Sequence, residues 1–227
     1  MKKRIIYIFI SLFIIILILF SFTKVSSSTK IKISNDKDDT NKQLITKYQK
    51  EYNNSDIKAI LKIDDILLTP IVQTTDNNYY LKHDINKNEN NNGEVFLDYR
   101  IKDDSKKIII YGHNNPNGTL PLSVLEKYKD EDFYKNHSLI TLYTINKTYK
   151  FKIFTSYVET SDFDYLNLNS FNGTYENHLN KLKNKSLYNT NTKINSKDKI
   201  IILQTCSYES LYKNYKDKYR LVMGIKQ

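Results

Sequence analysis

The sequence predicts a mostly β barrel with a few inserted helices, and three observations predict it. Two apolar runs, Lys107 to Tyr111 and Lys199 to Cys206, have the length and isoleucine content of buried strands. Two further runs, Ser138 to Thr144 and Thr148 to Thr155, read as a hairpin turning at Asn146 and Lys147. The 227 residues include 19 Tyr and 10 Phe against 5 Gly, a balance that favours strands over loops. The length suits one sizeable domain plus a tail.

The elements follow in order. Residues 1–4 carry Lys2, Lys3 and Arg4, a basic tail that should stay cytoplasmic. Residues 5–22 are almost wholly apolar, enough for one transmembrane helix and longer than a signal-peptide core. An uncleaved signal anchor is therefore expected, with cleavage near Val25 to Ser27 as the alternative. Residues 23–55 read as an extracytoplasmic polar linker with a short helix over Leu44 to Tyr52. The globular part is expected at 56–227. It opens with strands at Ile57 to Ile63 and Ile66 to Val72, where Pro70 marks an edge or bend. A short helix capped by Asp76 or a neighbour leads to Leu81, a polar loop runs from Asn86 to Gly93, and Glu94 to Asp98 is strand-like. Asn114 to Gly118 is dense turn chemistry. Val124, Leu125, Tyr128 and Phe133 predict a helix over Leu122 to Tyr134, and Leu179, Leu182 and Leu187 predict another over Thr174 to Leu187. A last strand starts at Tyr219.

The single cysteine excludes a disulfide framework and any Cys-rich zinc site. The net charge of +10 admits a polyanionic partner. No nucleic-acid motif or dense basic stripe accompanies it, so a wall or membrane surface, or simply a solvated lysine-rich exterior, fits better.

The chemistry rests on a thiol, an imidazole and a guanidinium, each on or beside an apolar strand. A lone Cys with a His elsewhere is a candidate nucleophile. Cys206 ends its strand, where a site is rigid and partly open. His113 follows Gly112 just past another strand, where a loop can aim the ring. Arg220 is always charged and can hold a developing oxyanion. The plain alternatives are a buried Cys acting as a small hydrophobe, a turn histidine and a strand-surface arginine. His83, His137 and His178 read as surface residues. Spacing alone does not bring Cys206, His113 and Arg220 together.

Thr205-Cys206-Ser207-Tyr208-Glu209 resembles the T-C-x-Y-E signature of class B sortases. Ile110 to Asn114 resembles their histidine motif and Tyr219 to Val222 their arginine strand. The likeness runs from about Asp56 to Lys226. It takes in Val95 to Arg100, Leu125 to Tyr134 and the helix-bearing connection Ser161 to Tyr188. It implies an eight-stranded sortase-type barrel tethered outside a Gram-positive membrane, with no metal and no cofactor. Cys206 would attack the Thr carbonyl of a C-terminal sorting signal, His113 would shuttle the proton and Arg220 would hold the oxyanion. The surface protein would then pass from the thioester to an amine of cell-wall peptidoglycan. Asn77, Leu81, Asn114, Thr205, Ser207 and Glu209 match positions expected to contact substrate. The chain departs from the pattern in its long Ser207 to Tyr219 loop, in Asn115-Pro116 and in its last five residues, which bears on specificity.

Other readings remain at this level. A pilin polymerase would differ only in using a lysine acceptor. An L,D-transpeptidase would place His close to Cys, and a papain-like endopeptidase would place Cys before His; this chain does neither. An anchored, non-catalytic β-barrel binding protein would carry an unreactive thiol.

Overall fold

A computed structural model describes residues 37–227. Eight strands close a barrel in the order β1-β2-β3-β4-β7-β8-β6-β5. They are β1 (Ile57–Ile63), β2 (Leu67–Val72), β3 (Phe96–Leu97), β4 (Lys107–Tyr111), β5 (Leu139–Thr144), β6 (Thr148–Glu159), β7 (Ile200–Cys206) and β8 (Tyr219–Lys226). This is the strand number that the resemblance implied. Closure pairs each strand with a neighbour on both sides, so the barrel has no open edge to manage.

The interior is filled by alternate residues, among them Leu61, Ile63, Ile108, Ile110, Ile140, Phe151, Ile201, Leu203 and Val222. The other faces of β7 and β8 are covered too: Ile200, Ile202, Leu221 and Met223 pack beneath Tyr165, Leu179 and Leu182 of the β6–β7 connection. Burial on both faces explains why β7 reads as an unbroken apolar run rather than an alternation.

Three α-helices accompany the barrel among the described residues: α1 (Lys37–Glu51), α2 (Glu131–Asn136) and α3 (Tyr175–Asn184). The helix expected over Leu44 to Tyr52 starts earlier, at Lys37, and is docked. Its Ile45 is fully buried with Ile57, Ile60 and Val72, so the packed body reaches back past Asp56. The helix expected over Leu122 to Tyr134 divides into a 3₁₀ stretch, Pro121–Lys129, and α2. The break falls at Asp130, whose extended backbone and side chain cap α2 through the Phe133 N–H. Thr174 caps α3 in the same way through Asn177. The strand expected over Glu94 to Asp98 shrinks to Phe96 and Leu97.

His178, expected at the surface, is buried. It lies on the inner face of α3, and its Nε2 sits 3.0 Å from Nζ of Lys107, which is buried as well. Lys107 also donates to the Asn167 carbonyl at 2.6 Å. Burial, with Lys107's charge adding, pushes His178 down to about 4. Burial, with Arg100's charge adding, brings Lys107 down to about 7. The pair therefore reads as a neutral imidazole accepting from the lysine, under the connection that covers β7.

No helix among the described residues is long and apolar enough to cross a membrane. The expected span at 5–22 lies outside the described residues.

Candidate active site

β4 and β7 are neighbours and run parallel, with Tyr111 opposite Gln204. His113 and Cys206 each lie two residues beyond that pair, so the register delivers both to the same rim of the barrel. Gly112 N–H donates to the Gln204 carbonyl at 3.2 Å, carrying the ladder one step further. Two residues far apart in sequence are brought side by side by one strand pairing.

Both line a groove of about 380 Å³ with Asn77, Asn78, Leu81, Phe96, Tyr111, Gly112, Gln204, Thr205 and Tyr219. A second cavity of about 410 Å³ lies elsewhere on the barrel, among Lys58, Ile101, Tyr149 and Lys199, and holds none of the expected site residues. The wall of the groove is the 3₁₀ turn Tyr79–Leu81, held by Asp76, whose carboxylate accepts from the N–H groups of Asn78 and Tyr79. Its floor is Tyr111, whose hydroxyl donates to buried Asp98 at 2.8 Å. Burial alone would raise the Asp98 carboxyl, but bonds from Arg100 and Tyr111 hold it below its usual range.

His113 is aimed by its neighbours. Its Nε2 lies 3.0 Å from the Leu81 carbonyl. A carbonyl only accepts, so Nε2 carries the proton and Nδ1 is the basic nitrogen of the neutral ring. Gly93 presses on the same edge: a Cβ there would stand 2.8 Å from Cδ2 of His113 and 2.5 Å from the Tyr80 carbonyl.

Cys206 is exposed, yet its thiol is raised above its ordinary value. Local desolvation is the main cause, the carboxylates of Asp217 and Glu126 add to it, and Lys218 opposes it.

Arg220 is fully buried and lies outside the groove lining. In the β7–β8 ladder Cys206 is opposite Tyr219 and Arg220 opposite Thr205. Strand alternation therefore turns Arg220 toward the barrel interior and Cys206 toward the groove. The guanidinium is bound by Glu209 through Nη2 and by Glu126 through Nε at 3.4 Å. Its Nη1 is buried without a partner among the described residues.

The remaining expected residues divide by task. Asn77 and Leu81 line the groove, and Asn77 also accepts from the Tyr99 N–H at 2.9 Å. Thr205 donates to the Gly112 carbonyl at 2.8 Å and so ties β7 to the histidine loop. Asn114 donates to the Cys206 carbonyl at 2.8 Å. Ser207 is buried and accepts from the Glu209 N–H at 3.2 Å. Sequence reasoning missed Glu126, Tyr111, Gln204 and Tyr219. The first lies in a helical stretch and the others on strands, and no local pattern sets them apart.

No protein-family model matches the chain. It is 37% identical over 174 residues to a protein named Sortase B from Listeria monocytogenes, a match spanning 75% of this chain and 69% of the relative. A Staphylococcus aureus sortase B–substrate complex superposes with a TM-score of 0.71 at 27% identity, covering 82% of this chain and 85% of that one. A sortase B solved in complex with triglycine superposes with a TM-score of 0.69 at 26% identity, covering 84% and 93%.

Proposed function

The chain belongs to the class B sortases, which are cysteine transpeptidases, and from that premise we propose that it attaches surface proteins to cell-wall peptidoglycan. The observation that carries this is the shared groove, where an exposed thiol and a histidine with a basic Nδ1 meet at one rim of the barrel.

The sulfur of Cys206 attacks the Thr carbonyl of a C-terminal sorting signal, and its proton passes to Nδ1 of His113. The tetrahedral intermediate collapses as the peptide C–N bond breaks, and His113 protonates the departing amine. A thioester to Cys206 remains. An amine of the wall peptide then attacks that carbonyl, gives its proton to His113 and expels the sulfur, so one amide bond has been exchanged for another. Similar sortase B structures, complexed with substrate and with triglycine, support a peptide donor and an amine acceptor for this chain.

Arg220 supplies the oxyanion donor through Nη1, the guanidinium nitrogen left without a partner among the described residues. A buried unpaired donor costs about 1–3 kcal/mol, which favours an incoming oxygen. Reaching the groove requires residues 209–218, which include Glu209, to shift on substrate entry. Asn77 and Leu81 contact the sorting signal, Thr205 holds the histidine loop against β7, and Asn114, Ser207 and Glu209 shape the wall behind the thiol. The segment 5–22 anchors the chain in the membrane with its N-terminus cytoplasmic and the barrel outside.

The full chain, mixed with a panel of Thr-containing sorting-signal peptides and quenched in acid, should gain the mass of the peptide's N-terminal acyl part. Cys206→Ala should show no gain. A chain with no adduct and a thiol that resists alkylation would refute the reading.

A further inference from the structure

Among the described residues, Glu126 bonds to the cysteine loop, the histidine loop and the guanidinium alike. It projects from the 3₁₀ stretch Pro121–Lys129, a separate element from the strands that carry Cys206, His113 and Arg220. Its Oε1 accepts from the backbone N–H of Tyr208 at 2.8 Å, two residues beyond the nucleophile. The same oxygen lies 3.5 Å from Nδ2 of Asn114, the residue after His113. Its Oε2 lies 3.4 Å from Nε of Arg220. Asn114 closes the circuit, donating to the Cys206 carbonyl at 2.8 Å while its own carbonyl accepts from the Tyr208 hydroxyl at 3.4 Å.

We propose that Glu126 is a positioning residue that fixes the cysteine loop, the histidine loop and the guanidinium in one catalytic arrangement. The strands alone cannot do this. β4 ends at Tyr111 and β7 at Cys206; the Ser207 N–H still donates to the Lys218 carbonyl at 2.9 Å, but His113, Asn114 and Tyr208 leave the ladder and are held by side-chain bonds. Of Glu126's contacts, the Tyr208 bond is the shortest, and it is charge-assisted, which makes it stronger than a neutral bond of equal length. Glu126 also leaves Arg220 a lighter load than two full ion pairs, because its contact to Nε is long. Glu209 can then release Nη2 without the guanidinium losing its orientation.

The proposal rests on the transpeptidase reading, so its test has two readouts. Turnover of the peptide that forms the Cys206 adduct is measured on the full chain bearing Glu126→Ala, Glu126→Gln, Asn114→Ala and the double Ala change. Glu126→Ala should lower kcat at least 10-fold with KM within 3-fold. Glu126→Gln should recover part of it, because its amide oxygen still accepts from Tyr208. The double variant should be little worse than the worse single one, since both break the same bridge. A kcat within 2-fold of the parent, additive losses, or a rise in KM with kcat intact would each overturn the proposal. If Glu126→Ala fails to melt cooperatively, Glu126→Gln and Glu126→Asp carry the same comparison.

The second readout needs no sorting signal. Cys206 alkylation by iodoacetamide is followed against pH, with Asp217, Lys218 and His113 present in every variant. Glu126→Gln should alkylate at lower pH than the parent, because the Glu126 carboxylate adds to what raises the thiol. An unchanged profile would overturn the proposal even where no peptide forms an adduct, whereas absence of an adduct alone bears on the transpeptidase reading.

Discussion

Gly93→Ala should be among the most damaging single-carbon additions this chain can receive, and its cost can be built from two parts. Gly93 has φ +58, a left-handed conformation that an L side chain adopts at roughly 1–2 kcal/mol. The added Cβ would also stand 2.5 Å from the Tyr80 carbonyl, 2.8 Å from His113 Cδ2 and 3.0 Å from the Leu81 carbonyl. Two of these are backbone atoms, and the Tyr80 carbonyl is already bonded to the Glu94 N–H at 2.9 Å. Relief by a side-chain rotation is therefore not open, and such overpacking costs about 1–3 kcal/mol. The sum is roughly 2–5 kcal/mol out of the 5–15 typical of a domain. Gly118 separates the parts: its φ is +66, but a Cβ there meets nothing within 4 Å. Gly118→Ala should cost only the backbone part, about 1–2 kcal/mol. Urea melts of both variants give the difference directly. Turnover should fall at least 10-fold in Gly93→Ala alone, because the clash bears on the ring edge that holds Nε2. Equal stability losses in the two variants, or normal turnover in Gly93→Ala, would refute the reasoning.

Other outcomes follow from the same contacts. Arg220→Ala should lose about 3–5 kcal/mol of stability as well as turnover, since it strands Glu126 and Glu209 without their partner; chemical denaturation beside the peptide assay separates the two effects. Because the folded chain gives up the Lys107 proton near pH 7 while the unfolded chain holds it to about 10.4, stability should rise with pH across that window, by up to about 1.4 kcal/mol per unit. Lys107→Met should flatten that rise and also shrink the His178 contribution below pH 6.5, because it removes the charge that adds to burial in pushing His178 down, as urea melts at stepped pH would show. Tyr165→Phe removes the 2.8 Å bond to the groove residue Gln204 and should cost about 1 kcal/mol, with the peptide KM moving more than kcat.

Strand content, barrel class and the candidate nucleophile were legible in the chain before any fold was known, because each is written locally. Apolar runs such as Lys199 to Cys206 persist wherever a strand is covered on both faces, and a single thiol needs no pairing to be noticed. The family likeness came from the contiguous run Thr205 to Glu209 and short runs around His113 and Arg220. How these meet was set by the fold. The parallel register of β4 on β7 brings His113 to Cys206, while the antiparallel register of β8 turns Arg220 to the other face. Register is a long-range property, and a shift of one residue would reverse every side chain. The same is true of His178 and Lys107, whose burial comes from α3 folding over β7 rather than from any pattern in their own neighbourhoods. It is true of Glu126 as well, a charged residue on a short helical stretch that becomes a junction because three separate segments converge on its two oxygens.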